Sequence, residues 1–247
     1  MQKVALVTGS SKGIGQAIAI RLAKDGYFVY VTYLADKAGG EKTTGIINEN
    51  GGKSSLYDLD ITSEESVKKL AAAIEKESGH VDVLVSSAER DVAKPIEEST
   101  LGEWKIAFDT KVHGAWSVTK FMLPLLKKSE NANLIVINSS ADENRSPEVL
   151  SYATATAALN SMIKAWAVDF PKYGIRVNAV MPGTTRTDNW ADLKNDDKLW
   201  EQFAKDNPMK RVPTVEEIAD SVMYFVNDPH RYLNGNFLFV NGGNHWK

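Results

Sequence analysis

The chain has no cysteine among its 247 residues, which excludes disulfides, thiolate nucleophiles and cysteine-ligated metals. Its four histidines, His80, His113, His230 and His245, lack the short spacing of a ligand pair, so no metal site is expected. Neither sign of charge is in excess: 29 Lys and Arg stand against 32 Asp and Glu, a formal net charge of −3. That balance gives no electrostatic ground for nucleic acid or an anionic membrane as partner. No apolar run approaches bilayer-spanning length. The first residues run into an apolar strand pattern, Lys3 to Gly9, with no cleavable leader. A cytoplasmic protein is expected. There is no internal repeat, low-complexity tract or linker, so 1–247 is read as a single domain. With 43% hydrophobic residues a chain of this length buries a core without staples.

What the sequence does have is alternation. Short apolar runs at Val4–Thr8, Phe28–Tyr33, Ser55–Asp58, Val81–Ser86, Leu134–Ser139, Arg176–Met181 and Phe237–Val240 read as strands. Most are nearly continuous in apolar residues, as in a sheet covered on both faces. Helical patterns lie between them. Ile14, Ile18 and Leu22 share one helical face. Ser63 reads as an N-cap ahead of Glu64 and Glu65, with Val67, Leu70 and Ile74 turned inward. Long helices are expected over Leu101–Lys128 and Ser151–Tyr173, and a shorter one begins near Thr214 under a capping-box pattern. Strand and helix in alternation imply a parallel, doubly wound sheet.

Between the first strand and the first helix lies Thr8-Gly9-Ser10-Ser11-Lys12-Gly13-Ile14-Gly15. Glycines there permit a tight turn and close approach of backbone to a diphosphate. The helix start offers free N–H groups and the positive end of its dipole to the anion. A glycine-rich turn without ligand is the plainer alternative, but the position after strand one favours a nucleotide.

With these residues in place the sequence resembles the short-chain dehydrogenase/reductase family over nearly its whole length. The resemblance rests on the Thr8–Gly15 loop, Asp60-Ile61 after strand three, Ser139 and Tyr152 thirteen positions apart, Pro182-Gly183 followed by Thr187, and Val240-Asn241-Gly242-Gly243 near the C-terminus. The nearest flavour is the 3-oxoacyl-(acyl-carrier-protein) reductase-like branch. The resemblance implies a Rossmann-type, doubly wound, parallel seven-stranded sheet with helices on both faces, and a substrate lid at about 184–212. It implies a nicotinamide coenzyme held by Gly9, Ser11, Lys12, Gly13, Ile14, Gly15, Tyr33, Asp60, Ile61, Ala88, Pro182, Gly183 and Thr187. By analogy it also implies a small-molecule carbonyl or alcohol substrate and a homodimer or homotetramer. A hetero-oligomer with an active relative is a further arrangement.

NADP(H) is favoured over NAD(H). The end of strand two carries Tyr33 and Leu34 where NAD-preferring relatives place an acid for the ribose 2′-hydroxyl. Lys12 resembles the basic residue that meets a 2′-phosphate. The catalytic centre departs from the family. Tyr152 matches the proton donor and Ser139 the group that hydrogen-bonds the carbonyl. The lysine expected one helical turn after the tyrosine is Thr156, the family's supporting asparagine is Lys111, and the glycine after strand four is Glu89. A nearby cation lowers a tyrosine pKa by roughly 1–3 units, so its loss costs on the order of 1.4–4 kcal/mol in stabilising the tyrosinate. Three arrangements of Lys111 and Glu89 are open. They form an ion pair that rebuilds or blocks the cofactor floor; they point separately to water; or Lys111 brings its ammonium to Tyr152 as a catalytic replacement.

In the lid, Asn189 to Phe203 reads as one amphipathic helix carrying Trp190, Leu193, Trp200 and Phe203, which either line a substrate pocket or pack the lid onto the body. Lys210 and Arg211 are either an ordinary surface pair or a contact for an acidic carrier. Three functions follow from the resemblance: an oxidoreductase that reduces a carbonyl or oxidises an alcohol, impaired or altered; a catalytically silent partner or regulatory subunit; and a lyase on the same fold. The retained glycine loop counts against the last.

Overall fold

The computed structural model describes residues 2–90, 94–141 and 149–244. Seven strands form one parallel sheet: β1 (Val4–Val7), β2 (Phe28–Tyr33), β3 (Lys53–Asp58), β4 (Val83–Ser86), β5 (Asn133–Ile137), β6 (Arg176–Pro182) and β7 (Phe237–Val240). Their order is β3-β2-β1-β4-β5-β6-β7. The chain builds outward from β1 to β3, then crosses back to lay β4 on the other side of β1. That reversal leaves a crevice at the carboxyl ends of β1 and β4, the place where open α/β sheets bind ligands.

Alternation along each strand divides the core. Val4 and Leu6 of β1 face one apolar layer and Ala5 and Val7 the other. The first layer is completed by α3 (Glu64–Glu77), α5 (Ala115–Leu126) and α6 (Leu150–Asp169), through Leu70, Met122 and Ile163 among others. The second is completed by α1 (Gly13–Lys24), α2 (Lys37–Glu49) and α8 (Val215–Val226), through Leu22, Ile47 and Phe225. Sheet and layers match the expected class. No helix among the described residues is long and apolar enough to cross a membrane.

The strands fall where the apolar runs place them, within two residues at each end. Ser63 caps α3 by accepting from the Ser66 N–H, and Thr214 and Glu217 form the capping box of α8. Three helical expectations need correction. Helix α2 went unrecognised: its stretch carries three glycines, and only Gly40, Thr43 and Ile47 are buried, which leaves no apolar stripe to read. The Leu101–Lys128 helix is interrupted: α4 (Leu101–Phe108) passes through a π-helical segment, Asp109–Gly114, before α5. A π turn inserts an extra residue and re-phases the faces that follow. The lid helix is split as well. Asp188–Asn195 is 3₁₀-helical, and Asp196 then caps α7 (Asp197–Asp206) by accepting from the Leu199 N–H. Near the end of α6, Phe170–Tyr173 tightens into a 3₁₀ turn closed by Gly174.

Packing is least forgiving at Gly15, where a Cβ would lie 2.3 Å from the Gly9 carbonyl oxygen. Gly45 of α2, by contrast, has open space where its Cβ would be. Gly15→Ala therefore lowers the unfolding free energy by about 1–3 kcal/mol, whereas Gly45→Ala raises it by about 0.5–1 kcal/mol. Urea titrations of the two variants check this; equal midpoints would contradict the loop geometry.

Candidate active site

The loop from Thr8 to Gly15 is braced from below. Ser10 Oγ donates to the Val7 carbonyl and accepts from the Thr32 N–H, and Thr43 Oγ1 donates to the Ser10 carbonyl at 3.0 Å. Thr8 Oγ1 accepts from the N–H groups of Ser87 and Ala88 at 2.9 and 3.1 Å, which joins the ends of β1 and β4. The first-turn N–H groups of a helix have no partner within the helix. Side chains of Asp36, Ser63, Thr100, Asp196 and Thr214 cap α2, α3, α4, α7 and α8; among the described residues no side chain caps α1, α5 or α6. The start of α1 opens onto a cleft of about 520 Å³.

Of the expected coenzyme residues, Gly9, Ser11, Lys12, Gly13, Ile14, Gly15, Tyr33, Asp60, Ile61, Ala88 and Thr187 line this cleft. Pro182 and Gly183 do not; Pro182 ends β6, and the N–H of Gly183 just after it donates to the Val240 carbonyl and ties that end to β7. The carboxylate of Asp60 accepts from the N–H and hydroxyl of Thr62. At the far rim Leu34 is exposed beside Tyr33. Asp36 also lines the cleft, a residue the sequence reading missed because it missed α2. Its carboxylate accepts from the Gly39 N–H at 2.9 Å.

The departures from the family pattern come together at Glu89, which lines the cleft; Lys111, Tyr152 and Ser139 stand behind it and do not line the cleft. Glu89 extends from the loop after β4, Tyr152 stands on the first turn of α6, and Lys111 belongs to the π-helical segment packed against α6. Lys111 is 3% exposed and its ammonium pairs with Glu89 Oε2. The same ammonium lies 4.3 Å from the centroid of the Tyr152 ring. The Tyr152 hydroxyl donates to Glu89 Oε1 at 3.3 Å. Ser139, just beyond β5, is within hydrogen-bonding reach of Tyr152 and accepts from the Ala141 N–H at 3.2 Å. The ion pair is thus present, and Lys111 reaches the tyrosine as well. The alternative in which both charged groups face water separately is corrected: a buried ammonium without a counter-ion is too costly to persist.

Thr156 is fully buried, its carbonyl accepting from Asn138 Nδ2 at 3.2 Å. Its hydroxyl has no hydrogen-bond partner among the described residues. Burial pushes the Tyr152 phenol up to about 12; the Glu89 carboxylate adds to this, and Lys111 and Ser139 only partly oppose it. Burial works against the Lys111 ammonium, but Glu89 and Tyr152 outweigh it and hold the pKa of Lys111 above its ordinary value.

The lid aromatics pack on one another. Trp190, Trp200 and Phe203 form a cluster with ring centroids 5.3–5.5 Å apart, and none of them lines the cleft. Trp190 Nε1 donates to the Thr185 carbonyl, and Trp200 Nε1 to the carbonyls of Leu193 and Lys194. Arg211 is held by Glu217 and Lys210 by the Lys205 carbonyl, as in an ordinary surface pair. No group of three or more metal-ligating side chains occurs among the described residues; His245 lies outside them.

The family model described as enoyl-(acyl carrier protein) reductase matches residues 9–245. Glucose 1-dehydrogenase 2 of Bacillus subtilis (strain 168) is 34% identical over 243 residues, covering 98% of this chain and 94% of that protein. The 3-oxoacyl-(acyl-carrier-protein) reductase FabG of Staphylococcus epidermidis is 30% identical over 243 residues, 98% of this chain and 99% of that one. Among solved structures, acetoin dehydrogenase YohF from Salmonella typhimurium superposes with a TM-score of 0.88 at 27% identity, covering 100% of this chain and 98% of that chain. The chain belongs to the short-chain dehydrogenase/reductase family of oxidoreductases, with 3-oxoacyl-(acyl-carrier-protein) reductases among its relatives.

Proposed function

We propose that the protein is an NADP(H)-dependent reductase of a small-molecule carbonyl, in which Tyr152 gives the proton, Ser139 hydrogen-bonds the carbonyl oxygen, and Lys111 supplies the cation that Thr156 cannot. The observation that carries this is the buried Lys111 ammonium set over the face of the Tyr152 ring. The Lys111 ammonium approaches Tyr152 from the π-helical segment, where the family's lysine approaches along α6.

The residues around the cleft fit a dinucleotide. The uncapped start of α1 and the glycines beside it would hold the diphosphate. Lys12 and the uncharged Tyr33 and Leu34 favour a 2′-phosphate, and Asp36 has its carboxylate engaged in capping α2. Bound NADPH supplies the hydride. Tyr152 and Ser139 then hold the substrate oxygen where negative charge develops. Exposed Leu101, Trp116, Leu150 and Val168 on α4, α5 and α6 support a homodimer or homotetramer, and the absence of cysteine accords with the cytoplasm. A second reading, a silent partner of an active relative, is favoured by Glu89, whose side chain stands in the cleft wall and already engages both Lys111 and Tyr152.

NADPH binds more tightly than NADH in a fluorescence titration, and Lys12→Ala removes roughly tenfold of that affinity by deleting one charged hydrogen bond; tighter NADH binding would overturn the coenzyme assignment. Tyr152→Phe lowers NADPH-dependent ketone reduction by on the order of 10²–10⁴-fold and leaves NADPH affinity unchanged. Coenzyme binding without turnover of any ketone by the unmodified protein would establish the silent subunit in its place.

A further inference from the structure

We infer that Glu89 is a positioning residue that holds Tyr152 in its phenol form, so that the site is poorly poised to take a proton from an alcohol. The direction of chemistry rests on the reductase reading; the effect of Glu89 on the tyrosine does not.

The geometry supplies the reason. Among the described residues the charged groups facing the Tyr152 side chain are Glu89 from the loop after β4 and Lys111 from the π-helical segment; Ser139 contributes a neutral hydroxyl. One cation therefore serves two acids. Glu89 Oε2 holds the Lys111 ammonium, and Glu89 Oε1 accepts from the phenol at 3.3 Å. Ionising Tyr152 would break that hydrogen bond and set a phenolate against the carboxylate. Lys111, 3% exposed and already paired, has only part of its charge left to offset the repulsion. A single cation beside a tyrosine favours the phenolate; a cation already matched by a carboxylate favours the phenol.

In reduction the phenol O–H bond breaks and the carbonyl oxygen gains the proton while its carbon gains hydride from the reduced coenzyme. The phenolate left behind recovers a proton from water in the cleft. In oxidation the phenolate must be present at the outset, to take the proton of the alcohol as hydride leaves its carbon for the oxidised coenzyme. Tyr152 ionises at about 12, so below that pH the phenol predominates. Reduction is then independent of pH across the neutral range. The kcat/KM for alcohol oxidation climbs about tenfold per pH unit with no plateau below about pH 10, the ordinary tyrosine value.

The decisive measurement is an NMR titration of ring-labelled tyrosine in the full chain, with the Tyr152 signal assigned by its loss in Tyr152→Phe. Glu89→Gln removes the carboxylate charge and moves the Tyr152 midpoint down by roughly 1–3 pH units; Lys111→Gln leaves Glu89 unopposed and moves it up. The plateau of the oxidation profile follows the midpoint in each variant. A merely structural role predicts no shifts of opposite sign, and thermal melts confirm that each variant is folded. A midpoint unchanged in both variants, or moved in the same direction in both, overturns the inference. Should Glu89→Gln fail to fold, the upward shift in Lys111→Gln and its absence in the Lys111→Gln, Glu89→Gln pair carry the test. NADPH binding is read separately by fluorescence: opposite shifts without coenzyme binding uphold the role of Glu89 and remove the reductase reading.

Discussion

A lysine ammonium sealed from water must keep its counter-charge within reach. That constraint organises the catalytic end of this cleft. Burying an isolated ammonium costs several kcal/mol even after relaxation. Lys111 is buried, and Glu89 is the carboxylate that makes its burial tolerable. Neither residue is intelligible alone. Glu89 without Lys111 would place an anion beside the tyrosine in a cleft wall; Lys111 without Glu89 would be driven toward its neutral form. Together they fix the tail of the loop after β4 against the π-helical segment, and Tyr152 is oriented by both.

The remainder of the site depends on topology more than on charge. Reversal of strand order between β1 and β4 opens the crevice, and the Thr8 hydroxyl spans it by accepting from Ser87 and Ala88. Glu89 is the next residue. The Thr8–Gly15 loop and the loop after β4 are thus one mechanical unit: the threonine that follows β1 sets where Glu89 begins. The uncapped start of α1 opens onto the cleft, and Glu89, which also lines it, pairs with the buried Lys111 ammonium.

Much of this was legible in the sequence. Nearly continuous apolar runs identified most of the strands because a sheet covered on both faces needs them, and the caps at Ser63 and Thr214 announced α3 and α8. The tight turn from Thr8 to Gly15 was readable because its glycines satisfy a steric demand of the backbone. Asp36 was not, since α2 has no apolar stripe and its cap had no recognisable helix to begin. The π-helical segment was hidden for the opposite reason: apolar residues continue through Leu101–Lys128, and nothing in that pattern marks an inserted residue. The sequence could therefore name Glu89 and Lys111 as departures, but not the direction of Lys111. Likewise Trp190 and Trp200 read equally well as pocket lining or as lid packing, and only their rings and N–H partners show the second.

Under the proposed function, a cation carried by the π-helical segment instead of α6 differs in more than its address. A lysine on the same helix as the tyrosine, one turn away, approaches from below and leaves the loop after β4 free to be glycine. A lysine on the neighbouring segment meets the ring by its face, at 4.3 Å, and brings its ammonium to the end of β4. There Glu89 is the carboxylate that supplies its counter-charge. Thr156 on α6 is a small side chain that is fully buried, and cation and anion both stand across from it, on the π-helical segment and the loop after β4.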